Sequence, residues 1–244
     1  MDVTYLHFET LNSTNTWVKE HAHSLEAHHL TCVSAEEQTA GRGRFNRPWI
    51  SPKGENIYAT LYFCVSLPCS YLLNIGQILS LSCIAVLEKL GFFPEIKWPN
   101  DILIDKHKMA GILCEAVSLK EQIGIVLGFG LNVNMSQKAL ESIDQNATSL
   151  AKVSCKHWEL KPLLHSIVAQ FLQDLELLQR KGFVHFRASY ERHLAFKGQY
   201  MSCSQGKTKL FGYGEAVDDE GRLLLRLEGG SVVHLSSGEV RIHG

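Results

Sequence analysis

The sequence predicts an α+β fold that ends in a small β-barrel. Three observations predict it. Short β-branched and aromatic stretches alternate with longer helical patterns over residues 1–194. Two of the longer segments repeat apolar residues at helical spacing, from Leu72 to Leu90 and from Trp158 to Gln179. After Ala195 the pattern changes to short strands separated by Asp218-Asp219-Glu220-Gly221 and Glu228-Gly229-Gly230 turns, as in a small barrel. The expected division is a larger domain over residues 1–194 and a smaller one over 195–244.

The bulk properties bound the function. The 244 residues are 45% hydrophobic and 20% charged, enough apolar material for a sizeable core. A formal net charge of −1 argues against a generally basic nucleic-acid binder and leaves room for a local basic site. Seven cysteines, an odd number without a C-x-x-C pair, predict free thiols in a reducing, cytoplasmic compartment. Met1-Asp2-Val3-Thr4 opens without the charged and apolar regions of a signal peptide. Leu61 to Leu87 carries no charge, but Pro68, Asn74, Gln77 and several serines split it into a buried strand and a core helix.

Taken in order, Val3–Phe8 is expected as the first strand. Ser13 or Thr14 then caps a helix running to about His23, whose free N–H groups suit either plain capping or a polar ligand. His21, His23, His28 and His29 read as a solvated turn, because no cysteine or carboxylate stands at a metal-finger spacing. Thr31–Ala35 and Asn56–Val65 are strands on either side of the loop described next. Glu95–Ile104 is strand, rigid proline turn, strand; Met109–Val117 and Gln122–Leu127 form a hairpin; a second C-terminal helix covers Gly182–His193.

The stretch Gln38-Thr39-Ala40-Gly41-Arg42-Gly43-Arg44-Phe45-Asn46-Arg47-Pro48-Trp49 holds three arginines, two glycines and a tryptophan, with no acidic side chain. Guanidinium forks suit phosphate or carboxylate oxygens, and an indole face suits a base. By composition it is a loop closing over a phosphate- and base-bearing ligand or a solvated basic turn. Lys97-Trp98-Pro99-Asn100-Asp101 alone reads as a structural polar turn, and Gly128-Phe129-Gly130 lacks the third glycine and the helix of a dinucleotide fingerprint.

Together these segments carry more. Ser13-Thr14-Asn15, the Gly41–Trp49 loop, Lys97–Asp101, Lys108-Met109-Ala110-Gly111-Ile112-Leu113 and Gly130-Leu131-Asn132-Val133-Asn134 occur in this order, and over about residues 5–244 the chain resembles biotin–protein ligases. The resemblance implies a class II synthetase-like catalytic domain, with a mixed β-sheet flanked by helices, and an SH3-like C-terminal barrel. It implies a two-step reaction in which ATP and Mg²⁺ activate biotin as biotinyl-5′-adenylate. A lysine of a biotin carboxyl carrier domain, expected to be that of acetyl-CoA carboxylase, then takes the biotinyl group. It implies that Ser13, Thr14 and Gln38 bind the ureido ring, with Asn15 in support and the backbone of Gly111 and Ile112 against biotin. Arg42, Gly43 and Arg44 would form the closing loop, with Arg42 and Lys108 at the carboxylate and α-phosphate. Arg44, Arg47, Trp49, Lys97, Asn100 and Asn132 would meet the nucleotide. Asp101 would position metal, accept the proton of the acceptor amine, or order its turn, and no dedicated metal cage is expected.

Two departures stand out. Phe45-Asn46 replaces the arginine and glycine of many members, which predicts a stiffer loop, and either Arg241 or His243 would supply the basic group that some members bring to ATP from the chain end. With twelve residues before Ser13, no helix-turn-helix unit is expected and no DNA binding; no membrane association is expected, and a homodimer is open. The competing readings are a lipoate or octanoate ligase, whose arginine pair and glycine triplet are missing, and a non-catalytic biotin- or adenylate-binding module, against which Arg42, Arg44 and Lys108 argue.

Overall fold

The computed structural model describes residues 2–26, 28–120, 122–143, 146–206 and 208–243. In chain order its elements are β1 (Val3–Leu11), α1 (Thr14–His21), β2 (Leu30–Gln38), β3 (Ile57–Ser66), α2 (Ile75–Lys89), β4 (Glu95–Lys97), β5 (Asp101–Ile104), β6 (His107–Ser118) and β7 (Gln122–Leu131). They continue with α3 (Gln137–Glu141), α4 (Leu150–Ser154), α5 (Leu160–Lys181), α6 (Val184–Arg192), β8 (Tyr200–Gln205), β9 (Thr208–Val217), β10 (Leu223–Arg226), β11 (Val232–Leu235) and β12 (Glu239–Ile242). Two compact units result, Met1–Cys69 with His107–Ala169, and Ser70–Lys106 with Gln170–Gly244.

The first unit is built on strands in the order β1-β2-β3-β7-β6. β1 runs parallel to β2 and the other neighbours are antiparallel, so the sheet is mixed. Antiparallel register puts Glu115, Val126 and Tyr62 in one row, Leu113, Gly128 and Thr60 in the next, and Gly111, Gly130 and Tyr58 in a third. Residues two apart point to the same face, so these rows share one surface. At one end of it Val18 of α1 and Ala22 just after the helix pack on Val33, Tyr62 and Val126, all buried. At the other end glycines leave the surface hollow.

Two short helices were not legible in advance. α3 is capped by Ser136, whose Oγ accepts from Ala139 N at 3.3 Å, and α4 by Ser149, which accepts from Lys152 N at 3.2 Å. At α1 the expected cap is corrected. Ser13 stands at the N-cap position with extended backbone but makes no side-chain cap bond; Gln38 Oε1 accepts from Thr14 N at 2.9 Å instead.

In the second unit α2 is apolar all round. The segment Leu72–Lys89 is long and apolar enough to cross a membrane by length and composition, but Ile75, Ile78, Leu79, Ile84 and Leu87 are buried inside the fold. Its polar side chains also have partners. Asn74 Nδ2 donates to the Glu220 carbonyl at 2.8 Å and Gln77 Nε2 to the Gly221 carbonyl at 2.7 Å. Trp98 Nε1, in the turn between β4 and β5, donates to the same Gly221 carbonyl at 3.1 Å. The small β-structure expected after Ala195 is a five-stranded antiparallel sheet, ordered β11-β10-β9-β8-β12. Its last strand was not anticipated; Val240 is buried there opposite Cys203.

Candidate active site

The site is built on the hollow end of the sheet face in the first unit. Thr60, buried on β3, is 2.6 Å from Asn15 Oδ1 and 2.8 Å from Thr14 Oγ1, which fixes the start of α1 over that row. A Cβ at Gly128 would collide with the Asn15 carboxamide, so the close approach of helix to sheet requires glycine there. Thr14 Oγ1 also lies 3.2 Å from Gln38 Oε1, and Gln38 Nε2 donates to Ser51 Oγ at 3.1 Å. Ser13, Thr14 and Asn15 are buried, so the first turn of α1 and Gln38 form one polar network beside the glycines.

The arginine loop folds back on itself and lies on this floor. Arg42 pairs with Pro48, Gly43 N donates to the Arg47 carbonyl at 2.8 Å, and Trp49 N donates to the Gly41 carbonyl at 2.8 Å. The Trp49 indole covers the Gly111–Gly130 pair: a Cβ on Gly111 would stand 3.1 Å from its Cζ3, and one on Gly130 would overlap the ring. Lys108 Nζ is 5.4 Å from the indole centroid, a cation–π arrangement. Trp49 Nε1 is buried and has no hydrogen-bond partner. At the loop tip Phe45 and Asn46 have φ of 57° and 56°. Asn tolerates that left-handed conformation and glycine favours it. The Arg44 and Arg47 guanidinium carbons lie 5.1 Å and 5.9 Å from the Phe45 ring.

Arg42 is held by a residue that the sequence analysis did not single out. Its Nη2 donates to Glu115 Oε2 at 2.7 Å; Asn15 Nδ2 donates to the same oxygen at 3.0 Å, and Lys19 Nζ to Oε1 at 3.1 Å. Burial works to raise the Glu115 pKa, but hydrogen bonds from Asn15, Arg42 and Lys19 outweigh it and hold the carboxyl below its ordinary value. The available signal was an acidic residue inside an otherwise apolar strand, Met109–Val117.

The remaining expected residues are distributed as follows. Lys108 is anchored through its backbone, which receives Thr148 N at 2.9 Å and gives its own N–H to the Asn146 carbonyl at 2.8 Å. Asn132 is buried and donates from Nδ2 to the Thr148 carbonyl at 3.1 Å, so it helps fix the segment that pairs with Lys108. Ile112 is buried on the face opposite the glycines. In the second unit Lys97 pairs with Asp101 across β4 and β5, and Asn100 lies in the turn between them. Arg241 Nε is 3.4 Å from Glu239 Oε1, whereas His243 Nε2 is 2.7 Å from Ser202 Oγ. Among the described residues no three His, Cys, Asp or Glu stand together as a metal-binding group.

A polar network, two cations and an aromatic ring around a glycine floor can hold a small ligand with an anionic end. Comparison with known proteins gives this site a family. The model of the biotin/lipoate A/B protein ligase family matches residues 7–132, and that of the biotin protein ligase C-terminal domain matches residues 205–242. The biotin–[acetyl-CoA-carboxylase] ligase of Mycobacterium tuberculosis is 32% identical over 215 residues, covering 84% of this chain and 76% of the relative. The bifunctional ligase/repressor BirA of Bacillus spizizenii is 30% identical over 228 residues, covering 91% and 69%. The biotin protein ligase of Aquifex aeolicus, solved in complex with biotin and ATP, superposes with a TM-score of 0.84 at 26% identity over 98% of each chain. With more than half its length under one family model, the chain belongs to the biotin/lipoate A/B protein ligase family.

Proposed function

We propose that the protein is a biotin–protein ligase that makes biotinyl-5′-adenylate from biotin and ATP and passes the biotinyl group to a lysine of a biotin carboxyl carrier domain. The observation that carries this reading is one sheet face that holds Trp49 and Lys108 at the Gly111–Gly130 row, Asn15 at Gly128 and Arg42 on Glu115 in the row beyond, with Gln38 bonded to the start of α1. The match of a separate C-terminal family model at residues 205–242 supports a division of the chain near 194/195.

The chemistry suits these residue types. A carboxylate is a poor acyl donor. In the first step a biotin carboxylate oxygen forms a bond to the α-phosphorus, the bond from that phosphorus to the bridging oxygen breaks, and pyrophosphate leaves. Arg42 and Lys108 neutralise the charge that gathers on the phosphoryl oxygens. In the second step the lysine amine attacks the biotinyl carbonyl, AMP leaves with the bonding pair, and the amine loses a proton. Ser13, Thr14 and Gln38 orient the ureido ring, and the loop over Gly43, Arg44 and Arg47 excludes water from the anhydride. Trp49, Lys97, Asn100 and Asn132 take the nucleotide roles that the resemblance gives them. The reading has Mg²⁺ enter on the nucleotide phosphates. Asp101 serves as base for the acceptor amine, whose unperturbed pKa is about 10.4.

The test is pyrophosphate release from ATP with biotin or lipoate, followed by transfer to an acetyl-CoA carboxylase carrier domain. Release and labelling with biotin alone support the reading; lipoate labelling or binding without release overturns it. In single-turnover assays Asp101→Asn is expected to slow transfer about tenfold or more while adenylate formation changes less than about twofold.

A further inference from the structure

The arginine loop rests, through Arg42, on a carboxylate that belongs to the protein itself. Glu115 has two oxygens and receives three donors, with Arg42 and Asn15 sharing Oε2 and Lys19 on Oε1. The Arg42 and Glu115 side chains are 25% and 21% exposed, so the pair is largely withdrawn from solvent. When Arg42 leaves, Glu115 keeps one cation and one amide donor and is not stranded as an unpaired buried charge. Its position does not depend on Arg42 either, because Asn15 is fixed by Thr60 and Lys19 lies on α1. Arg42, by contrast, has to find another anion.

We propose that Glu115 is a positioning residue that holds Arg42 in the resting loop and competes with the substrate's carboxylate for the guanidinium. The inference rests on the reading given under Proposed function. Glu115 thereby lowers carboxylate affinity, because binding first has to break the internal pair. Lys19 acts in the opposite sense, since a second cation on Glu115 loosens its hold on Arg42.

The test uses the full chain and two ligands, biotin and its alcohol analogue, which lacks the carboxylate. Glu115→Gln is expected to tighten biotin by about 3- to 10-fold and to change the alcohol by less than about twofold. Lys19→Ala is expected to weaken biotin by about 2- to 5-fold, again sparing the alcohol. In an Arg42→Ala background both effects disappear. Weaker biotin binding in Glu115→Gln, or equal shifts for both ligands, overturns the proposal. General damage to the fold cannot give opposite signs at Glu115 and Lys19. A further arm needs no ligand: trypsin cleavage after Arg42 and Arg44 is expected to be about 5-fold faster in Glu115→Gln, and equal rates overturn the contact. Failure of the wild-type protein to bind biotin defeats the functional reading, while the cleavage rates still decide whether Glu115 holds the loop.

Discussion

The two ends of one sheet face are built from the same strands and do opposite work. At the Tyr62–Val126 end large side chains fill the space beneath α1. At the Gly111–Gly130 end side chains are missing, and the protein covers the gap with Trp49, a residue from a loop. The same backbone ladder therefore supports a core at one end and a site at the other; side-chain volume along β6 and β7 makes the difference.

Removing charge at the hollow end gives the largest expected effect. Lys108→Ala is predicted to slow pyrophosphate release about 10²- to 10³-fold in a quenched-flow assay while the melting temperature stays close to wild type. Filling the hollow comes next. Gly130→Val places methyl groups where Trp49 lies, and biotin affinity measured by calorimetry is expected to fall more than about tenfold. The filled end should respond in the reverse manner. Val126→Ala is expected to destabilise the protein by about 2 kcal/mol in urea titration, with activity per folded molecule unchanged. Equal losses of activity from Gly130→Val and Val126→Ala would erase the contrast.

The smallest effect is a pH dependence. The Glu115 carboxyl is held below its ordinary value of 4.5, so it contributes stability that is present above that value and lost as pH falls through the lower, folded one. The difference in melting temperature between wild type and Glu115→Gln should therefore be constant from pH 6 down to about 5 and shrink in more acidic solution.

Much of this was legible in the sequence, for identifiable reasons. The apolar helices and most strands followed from periodicity, and the family motifs identified the loop, the glycines and Lys108. What escaped was set by contacts distant in sequence. Nothing local shows that Gln38 would replace Ser13 as the cap of α1, because the two meet only when β2 and α1 are both in place. Glu115 was hidden because its partners Asn15, Lys19 and Arg42 lie 73 to 100 residues away. β12 is four residues long and takes its meaning from pairing with β8. The structural partners of the Gly130–Asn134 segment were equally hidden: Asn132 bonds to the Thr148 carbonyl, and Asn134 to the backbone of Trp158 at 2.8 Å and 2.9 Å.

The indole N–H of Trp49 is shut away from water with nothing to accept it. An oxygen of a guest molecule placed against it would satisfy a donor whose burial without a partner costs on the order of 1–3 kcal/mol. The ring is thus both a cover for the glycine floor and a donor ready for an oxygen brought beneath it.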